Sequence, residues 1–411
     1  MHGLVLIVIA GLAVVFAGGS AQAQCGGVCL YENMTPDMGR SAAGAGARAQ
    51  DSSTAFWNPA SMTELGDGTE VMLGLGAAFG NLNPKLDAST VTTDSPVVSG
   101  SNASGFSPLF GSYISTKLPY DVHFGMVVTP LYGGAADYNQ NWAGRVEVTD
   151  VSLFSLLIQP SFAYAVTDWL SLGAGPTILY SVLDMRLKAS NAALAPTIKI
   201  NNAEDWSAGG AFSALIKPRE GTRIGLYYRT EIVTKLNANI EGPLGLSPAF
   251  DGKLTFPQGV NVSLFQQVSE QWAILGDAGW SDWSQFGNIP LTAGPAGTTA
   301  HLDWNDTWRT AIGFQYVPTE KWTLQGGFGY DSSPVKASGR QPAFPVSEQY
   351  RFSAGLMWRP QSYVEFALSY TFEWFGDMRM NNVAIPGGTV LDGKFEPAYA
   401  NIVGINMRVK F

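Results

Sequence analysis

The last ten residues, Ile402-Val403-Gly404-Ile405-Asn406-Met407-Arg408-Val409-Lys410-Phe411, decide the fold. Side chains alternate along an extended chain. Val403, Ile405, Met407, Val409 and Phe411 therefore face one way, and Ile402, Gly404, Asn406, Arg408 and Lys410 the other. The period is two, so a helix with its 3.6-residue repeat does not fit. The length suits a strand that crosses a bilayer, which needs roughly 9–11 residues with an apolar outward face. A soluble β-sandwich also alternates, but its strands are about 5–6 residues long.

The same pattern recurs upstream. Val364, Phe366, Leu368, Tyr370, Phe372 and Trp374 alternate with Glu365, Ala367, Ser369, Thr371 and Glu373, and Trp322, Leu324, Phe328 and Tyr330 with Thr323, Gln325, Gly327 and Gly329. Short connections fall at Leu118-Pro119-Tyr120-Asp121, Val166-Thr167-Asp168, Lys217-Pro218-Arg219-Glu220-Gly221, Val268-Ser269-Glu270, Pro318-Thr319-Glu320 and Arg359-Pro360-Gln361. Longer loops rich in Gly, Pro and Asn lie near 81–105, 133–145, 189–203, 238–250, 287–302, 334–347 and 378–396. Six short turns alternating with seven long loops predict an all-β fold, a 14-stranded antiparallel transmembrane β-barrel with both termini on the short-turn, periplasmic side. Only a closed barrel lets strands cross lipid, because lipid cannot satisfy an open sheet edge.

Composition agrees. Of 411 residues only 14% are charged, while 12% are aromatic and 47 are Gly; soluble domains carry about 25% charge. The net charge of −9 and the absence of a basic run argue against nucleic acid as a partner. At the N-terminus, Leu4 to Phe16 is an apolar run followed by Ala21-Gln22-Ala23, which reads as a signal peptide over 1–23 despite the lack of Lys or Arg in Met1-His2-Gly3. The other reading of that run is a membrane anchor. Cys25 and Cys29 are too few for a structural zinc site. In an oxidising compartment they could form a small disulfide loop or remain two free thiols, and their spacing does not decide.

Residues 24–65 do not alternate. Small residues dominate from Met38 to Asp51, and Phe56, Trp57, Met62 and Leu65 follow. A frayed leader is one reading. The other is a compact hatch in the lumen that a barrel of this size leaves open, giving a hatch over 24–65 and a barrel over 66–411.

The pieces Gly39-Arg40, Gly44, Gly46-Ala47, Asp51 and Asn58-Pro59-Ala60 resemble the N-terminal hatch of the FadL family of outer-membrane transporters for long-chain fatty acids and aromatic hydrocarbons. The barrel resembles it too, at Asp205-Trp206-Ser207-Ala208-Gly209, Thr222-Arg223-Ile224-Gly225-Leu226-Tyr227-Tyr228-Arg229, Trp280-Ser281-Asp282-Trp283-Ser284, Trp304-Asn305-Asp306-Thr307-Trp308-Arg309 and Tyr330-Asp331-Ser332-Ser333-Pro334-Val335. The cysteine pair departs from that pattern. The resemblance implies passive uptake of hydrophobic small molecules through the outer membrane of a Gram-negative bacterium. Gly39, Arg40, Gly44, Asp51, Phe56, Asn58, Pro59 and Ala60 would form the gate, with lateral exit at a distorted third strand. Gly125 and Pro130 mark that strand here, since proline lacks a donor and interior glycine often marks a bulge; an ordinary strand end is the other reading. The terminal Phe411 matches the aromatic end that such barrels present to their assembly machinery.

A fatty-acid ligand would want a cationic anchor. Arg186 and Lys188 share a face with Asp184, and that face is expected to point inward, where either could meet a carboxylate; pairing with Asp184, or a place above the membrane in the loop, is the other reading. A hydrocarbon would need no anchor. No cofactor, metal cluster or phosphate-cradling loop is expected: Gly74-Leu75-Gly76 lies in a strand and lacks the following helix. His123 and His301 have no serine motif beside them, so an enzyme such as a barrel phospholipase is disfavoured. The competing class is a structural or adhesive barrel whose long loops bind a surface partner.

Overall fold

The computed structural model describes residues 27, 28, 30, 33–92, 97–189, 196–242, 248–286, 288–293 and 296–411. The signal peptide and the cysteine pair lie outside these residues. Among the described residues the sheet is one closed antiparallel barrel of fourteen staves. In chain order these are β1 (Thr69–Leu86), β2 (Phe106–Lys117), β3 (Val122–Asp137), β4 (Asp150–Thr167), β5 (Leu170–Lys188) and β6 (Thr197–Arg219). Then come β7 (Thr222–Arg229 continuing as Ile232–Glu241), β8 (Ala249–Phe256 and Gly259–Gln267), β9 (Trp272–Ser281 and Asn288–Ala293) and β10 (Ala296–His301 and Thr307–Thr319). The last are β11 (Trp322–Asp331), β12 (Gln349–Gln361), β13 (Val364–Trp374 and Met378–Ile385) and β14 (Thr389–Lys410). β14 pairs with β1 from Lys410 opposite Glu70 to Gly393 opposite Leu86, which closes the barrel and removes its edge.

The alternation read in the final strand is the barrel wall. Val403, Ile405 and Met407 are exposed, while Ile402, Asn406 and Arg408 are buried. Aromatic rows run around the outside at two levels. Trp322, Trp358 and Phe366 are cross-strand neighbours near the short turns, and Tyr330, Tyr350, Trp374 and Tyr399 are neighbours near the loops. Trp322 and Tyr330 lie on one strand roughly 26 Å apart at ~3.3 Å per residue, which suits an apolar band ~25 Å tall once strand tilt is included.

Several staves run past this band into segments the sequence assigns to loops. β1 extends to Leu86, β6 begins at Thr197 and β14 at Thr389. Above the lipid a strand needs no apolar outward face, so the ladder continues where the alternation ends.

The segment 138–149 folds over the loop-side mouth. Tyr138 stacks on Trp142 with ring centroids 4.2 Å apart, and its hydroxyl donates to the Pro342 carbonyl at 3.0 Å. The Ala343 N–H donates to Glu147 Oε1 at 3.1 Å, while Glu147 Oε2 is buried without a partner. Burial pushes the Glu147 carboxyl up to about 8. The folded loops therefore retain a proton that a free carboxyl, with a pKa near 4.5, would release. This contribution to loop packing is complete below about 4.5 and is lost as pH rises through about 8. Relative to Glu147→Gln, wild type is expected to be cut by proteinase K within 138–149 increasingly faster as pH rises from about 4.5 to about 8; a rate ratio that stays constant across that range would contradict it.

Candidate functional site

Residues 33–65 lie inside the barrel as four short helical turns, Pro36–Arg40, Ala45–Arg48, Thr54–Trp57 and Pro59–Glu64. Pro36 and Pro59 open their turns, where a missing N–H costs nothing. The small residues permit contact with the wall. A Cβ on Gly39 would sit 2.7 Å from the Gly355 Cα. Gly44 adopts φ +65, and its N–H donates to Asp277.

Charge fixes the segment internally. Asp37 accepts from Arg40 and from Arg48 Nε, the latter at 2.8 Å, and Arg48 also pairs with Asp51. All four side chains are essentially excluded from water, so each charge requires its partner. Links to the wall complete the arrangement. Arg40 Nη1 donates to Gln325 Oε1 at 2.7 Å, Asn58 Nδ2 to the Ala214 carbonyl at 3.0 Å, and the Ala60 N–H to Ser213 Oγ at 2.9 Å. Arg223 and Arg408 reach the backbone carbonyls of Ala47 and Gln50, both at 2.9 Å. Thus Gly39, Arg40, Gly44, Asp51, Asn58, Pro59 and Ala60 occupy one buried, wall-bound body.

Phe56 faces a different feature, a cavity of about 110 Å³ between this segment and staves β7 to β10. Trp57, Tyr132, Tyr227, Trp283 and Arg229 also line it. The Arg229 guanidinium lies 5.6 Å from the Phe56 ring centroid and 5.4 Å from that of Tyr227. Its Nε donates to the Tyr227 hydroxyl at 3.1 Å, and the Tyr132 hydroxyl stands beside it. Among the described residues no carboxylate pairs with it. A cation held by aromatic faces and phenol hydroxyls alone is suited to receive an anionic group from elsewhere.

The sequence missed this residue. It pointed to Arg186 and Lys188, and the structure corrects their orientation. Leu179, Ser181 and Leu183 are buried toward the interior of β5, so Arg186 and Lys188 face outward. Arg186 is half exposed and pairs with Asp150 at 3.1 Å; Lys188 Nζ donates to Thr197 Oγ1 at 3.1 Å. The inward expectation assumed lipid outside, but this end of β5 lies beside the loops, where charge faces water. The signal for Arg229 was available: Arg223, Gly225, Tyr227 and Arg229 share the inward face of β7, and Arg229 ends its first segment at a break before Ile232.

Gly125 also differs from the expected bulge. It sits in unbroken ladders opposite Ser115 and Ser161. Its missing side chain serves close packing instead, because a Cβ would lie 2.7 Å from that of Ala55. The irregularity falls just past Pro130, at Leu131. His123 is buried in β3 with Nδ1 unpartnered, and the His301 side chain lies outside the described residues. Among the described residues no group of three or more His, Cys, Asp or Glu is placed to hold a metal.

A profile of the family described as "Outer membrane protein transport protein (OMPP1/FadL/TodX)" matches residues 16–411. A long-chain fatty acid transport protein of Salmonella typhi is 26% identical over 84% of this chain and 86% of its own length. Outer membrane protein P1 of Haemophilus influenzae is 23% identical over 97% of this chain and 98% of its own. Among solved structures, a FadL homologue of Pseudomonas aeruginosa superposes with a TM-score of 0.85 at 20% identity, over 94% of this chain and 100% of that one. The toluene transporter TbuX of Ralstonia pickettii gives 0.67 at 15% identity, over 93% and 100%.

Proposed function

The chain belongs to the outer-membrane transport protein family OMPP1/FadL/TodX, and from that premise we propose that it admits hydrophobic carboxylates, long-chain fatty acids foremost, by passive diffusion through the barrel. The observation that carries the carboxylate is Arg229, a cation that pairs with no carboxylate of the described residues, in a cavity rich in aromatic side chains that Arg309 also lines. Phe56, Trp57, Tyr132 and Trp283 would hold the start of the alkyl chain, and Arg229 the headgroup. The 33–65 segment serves as the gate, held by its buried charges. Exit is sideways at β3, and both termini are periplasmic. Phe411, exposed beyond the final ladder pair, is left for the assembly machinery. The Salmonella relative is a long-chain fatty acid transport protein and the Ralstonia protein a toluene transporter, which supports the two ligand classes in general terms; Arg229 favours the first. No step of this route calls for catalysis or a cofactor.

The cavity tryptophans supply the test. Stearate brominated near its carboxyl end is expected to quench the fluorescence of the purified protein saturably, with unlabelled oleate competing. Absence of saturable quenching would remove the cavity from the mechanism.

A further inference from the structure

Outside the barrel wall, beside the loops, lies a second cavity of about 680 Å³ that shares no residue with the aromatic one. Residues 101–105 form one side of it, and the ends of β3, β4 and β5 form the other. Ala136, Val151 and Leu183 are buried toward the interior of these strands, so Asp137, Asp150, Ser152 and Asp184 beside them point outward. The ladders fix their arrangement. Asp137 stands opposite Asp150 across β3 and β4, and Ser152 opposite Asp184 across β4 and β5. Tyr180 lies on the same face of β5 and packs on the exposed Trp206, with ring centroids 4.9 Å apart. Asp184 is roughly 13 Å past Tyr180 along the strand at ~3.3 Å per residue. The cavity therefore lies above the apolar band, in the watery layer under the loops.

Its lining is polar and acidic. Of the carboxylates in it, Asp150 has Arg186 at 3.1 Å, while Asp137 and Asp184 have no cation within ion-pair reach among the described residues. Like charges directly opposite on paired strands repel, so Asp137 and Asp150 gain from a cation placed between them. A second observation does not depend on charge. Ser104 is 7% exposed, and its hydroxyl is buried at this cavity without a hydrogen-bond partner. A buried hydroxyl is ordinarily satisfied, and a ligand N–H in the cavity would satisfy this one.

Size and spacing select the ligand. Among the described residues no three His, Cys, Asp or Glu side chains converge on one point as a bound metal requires. Asp137 and Asp184 are two strands and two rungs apart, roughly 12 Å between Cα atoms from the ~4.8 Å strand spacing and ~3.3 Å rise. The volume falls within the ~300–1,000 Å³ of small-molecule sites. An extended molecule with several charged N–H donors fits such a row of carboxylates, and a fatty acid is repelled by it. We propose that the outer cavity binds linear polyamines, with the terminal ammonium groups on Asp137 and Asp184 and the central amine between Asp150 and the Ser104 hydroxyl. This site stands independently of the carboxylate site at Arg229.

Isothermal titration calorimetry of the full barrel in uncharged detergent, with spermidine as the probe, tests it. One spermidine per barrel is expected to bind saturably, and more weakly as salt rises. Asp137→Asn and Asp184→Asn are each expected to weaken binding about tenfold or more, and Ser104→Ala by less. Glu320→Gln, in a short turn at the other end of the barrel, should bind as the wild type does. Absence of saturable binding would overturn the proposal, as would wild-type affinity in assembled Asp137→Asn and Asp184→Asn. Full displacement of spermidine by magnesium at equal charge would reduce the effect to counterion attraction and overturn it too. Tighter binding of glucose than of spermidine would overturn the ligand class. Both carboxylates lie at the surface, and heat-modifiable mobility checks that each variant barrel is assembled; should one fail, the other variant decides.

Discussion

Arg229→Ala is expected to weaken oleate binding roughly 10- to 100-fold and to leave toluene binding unchanged. Hydrogen bonds to a charged group contribute about 1.5–3 kcal/mol, and about 1.4 kcal/mol is tenfold in affinity. The guanidinium touches rings and phenols but pairs with no carboxylate of the described residues, so its removal strands no buried anion. The barrel should fold and melt as before. Arg229→Lys should recover part of the loss, because the charge remains while the planar fork that fits a carboxylate does not. Equal losses for oleate and toluene would show that the variant merely disturbs the cavity. No loss for oleate would remove Arg229 as the anchor.

The second large effect concerns Asp37. Its carboxylate accepts from both Arg40 and Arg48, and the Ser53 hydroxyl donates to its other oxygen at 3.2 Å. Asp37→Asn leaves the buried Arg40 without the carboxylate it pairs with and Arg48 with Asp51. Breaking a buried pair in this way costs on the order of 3–5 kcal/mol, enough to undock a segment held mainly by hydrogen bonds to the wall. The barrel itself should persist, since β1 and β14 close it without the segment. Protease cutting within 33–65 and ion conductance in planar bilayers should therefore both rise in Asp37→Asn, with heat-modifiable barrel mobility retained. A variant as protease-resistant and as non-conducting as the wild type would mean that the charges do not hold the gate.

The barrel was legible because lipid imposes a period of two on every crossing, as Val403, Ile405 and Met407 show. Even the number of staves followed from the spacing of short turns such as Val166-Thr167-Asp168. Legibility ended where lipid ends. Arg186 keeps the strand period but faces water, so the rule that charge points inward gave the wrong face. The role of Gly125 depends on Ala55, far away in sequence, and no local pattern encodes that contact. Arg229 is defined by what surrounds it, namely Phe56 and Tyr132 from elsewhere in the chain.

On the proposed function, hydrophobic carboxylates cross the outer membrane through this barrel. Uptake of labelled oleate by whole cells, with the gene deleted and with it restored as wild type or Arg229→Ala, tests it most directly. Uptake is expected to fall on deletion, to return with the wild type and to stay low with Arg229→Ala at limiting oleate. Oleate uptake unaffected by deletion would contradict it.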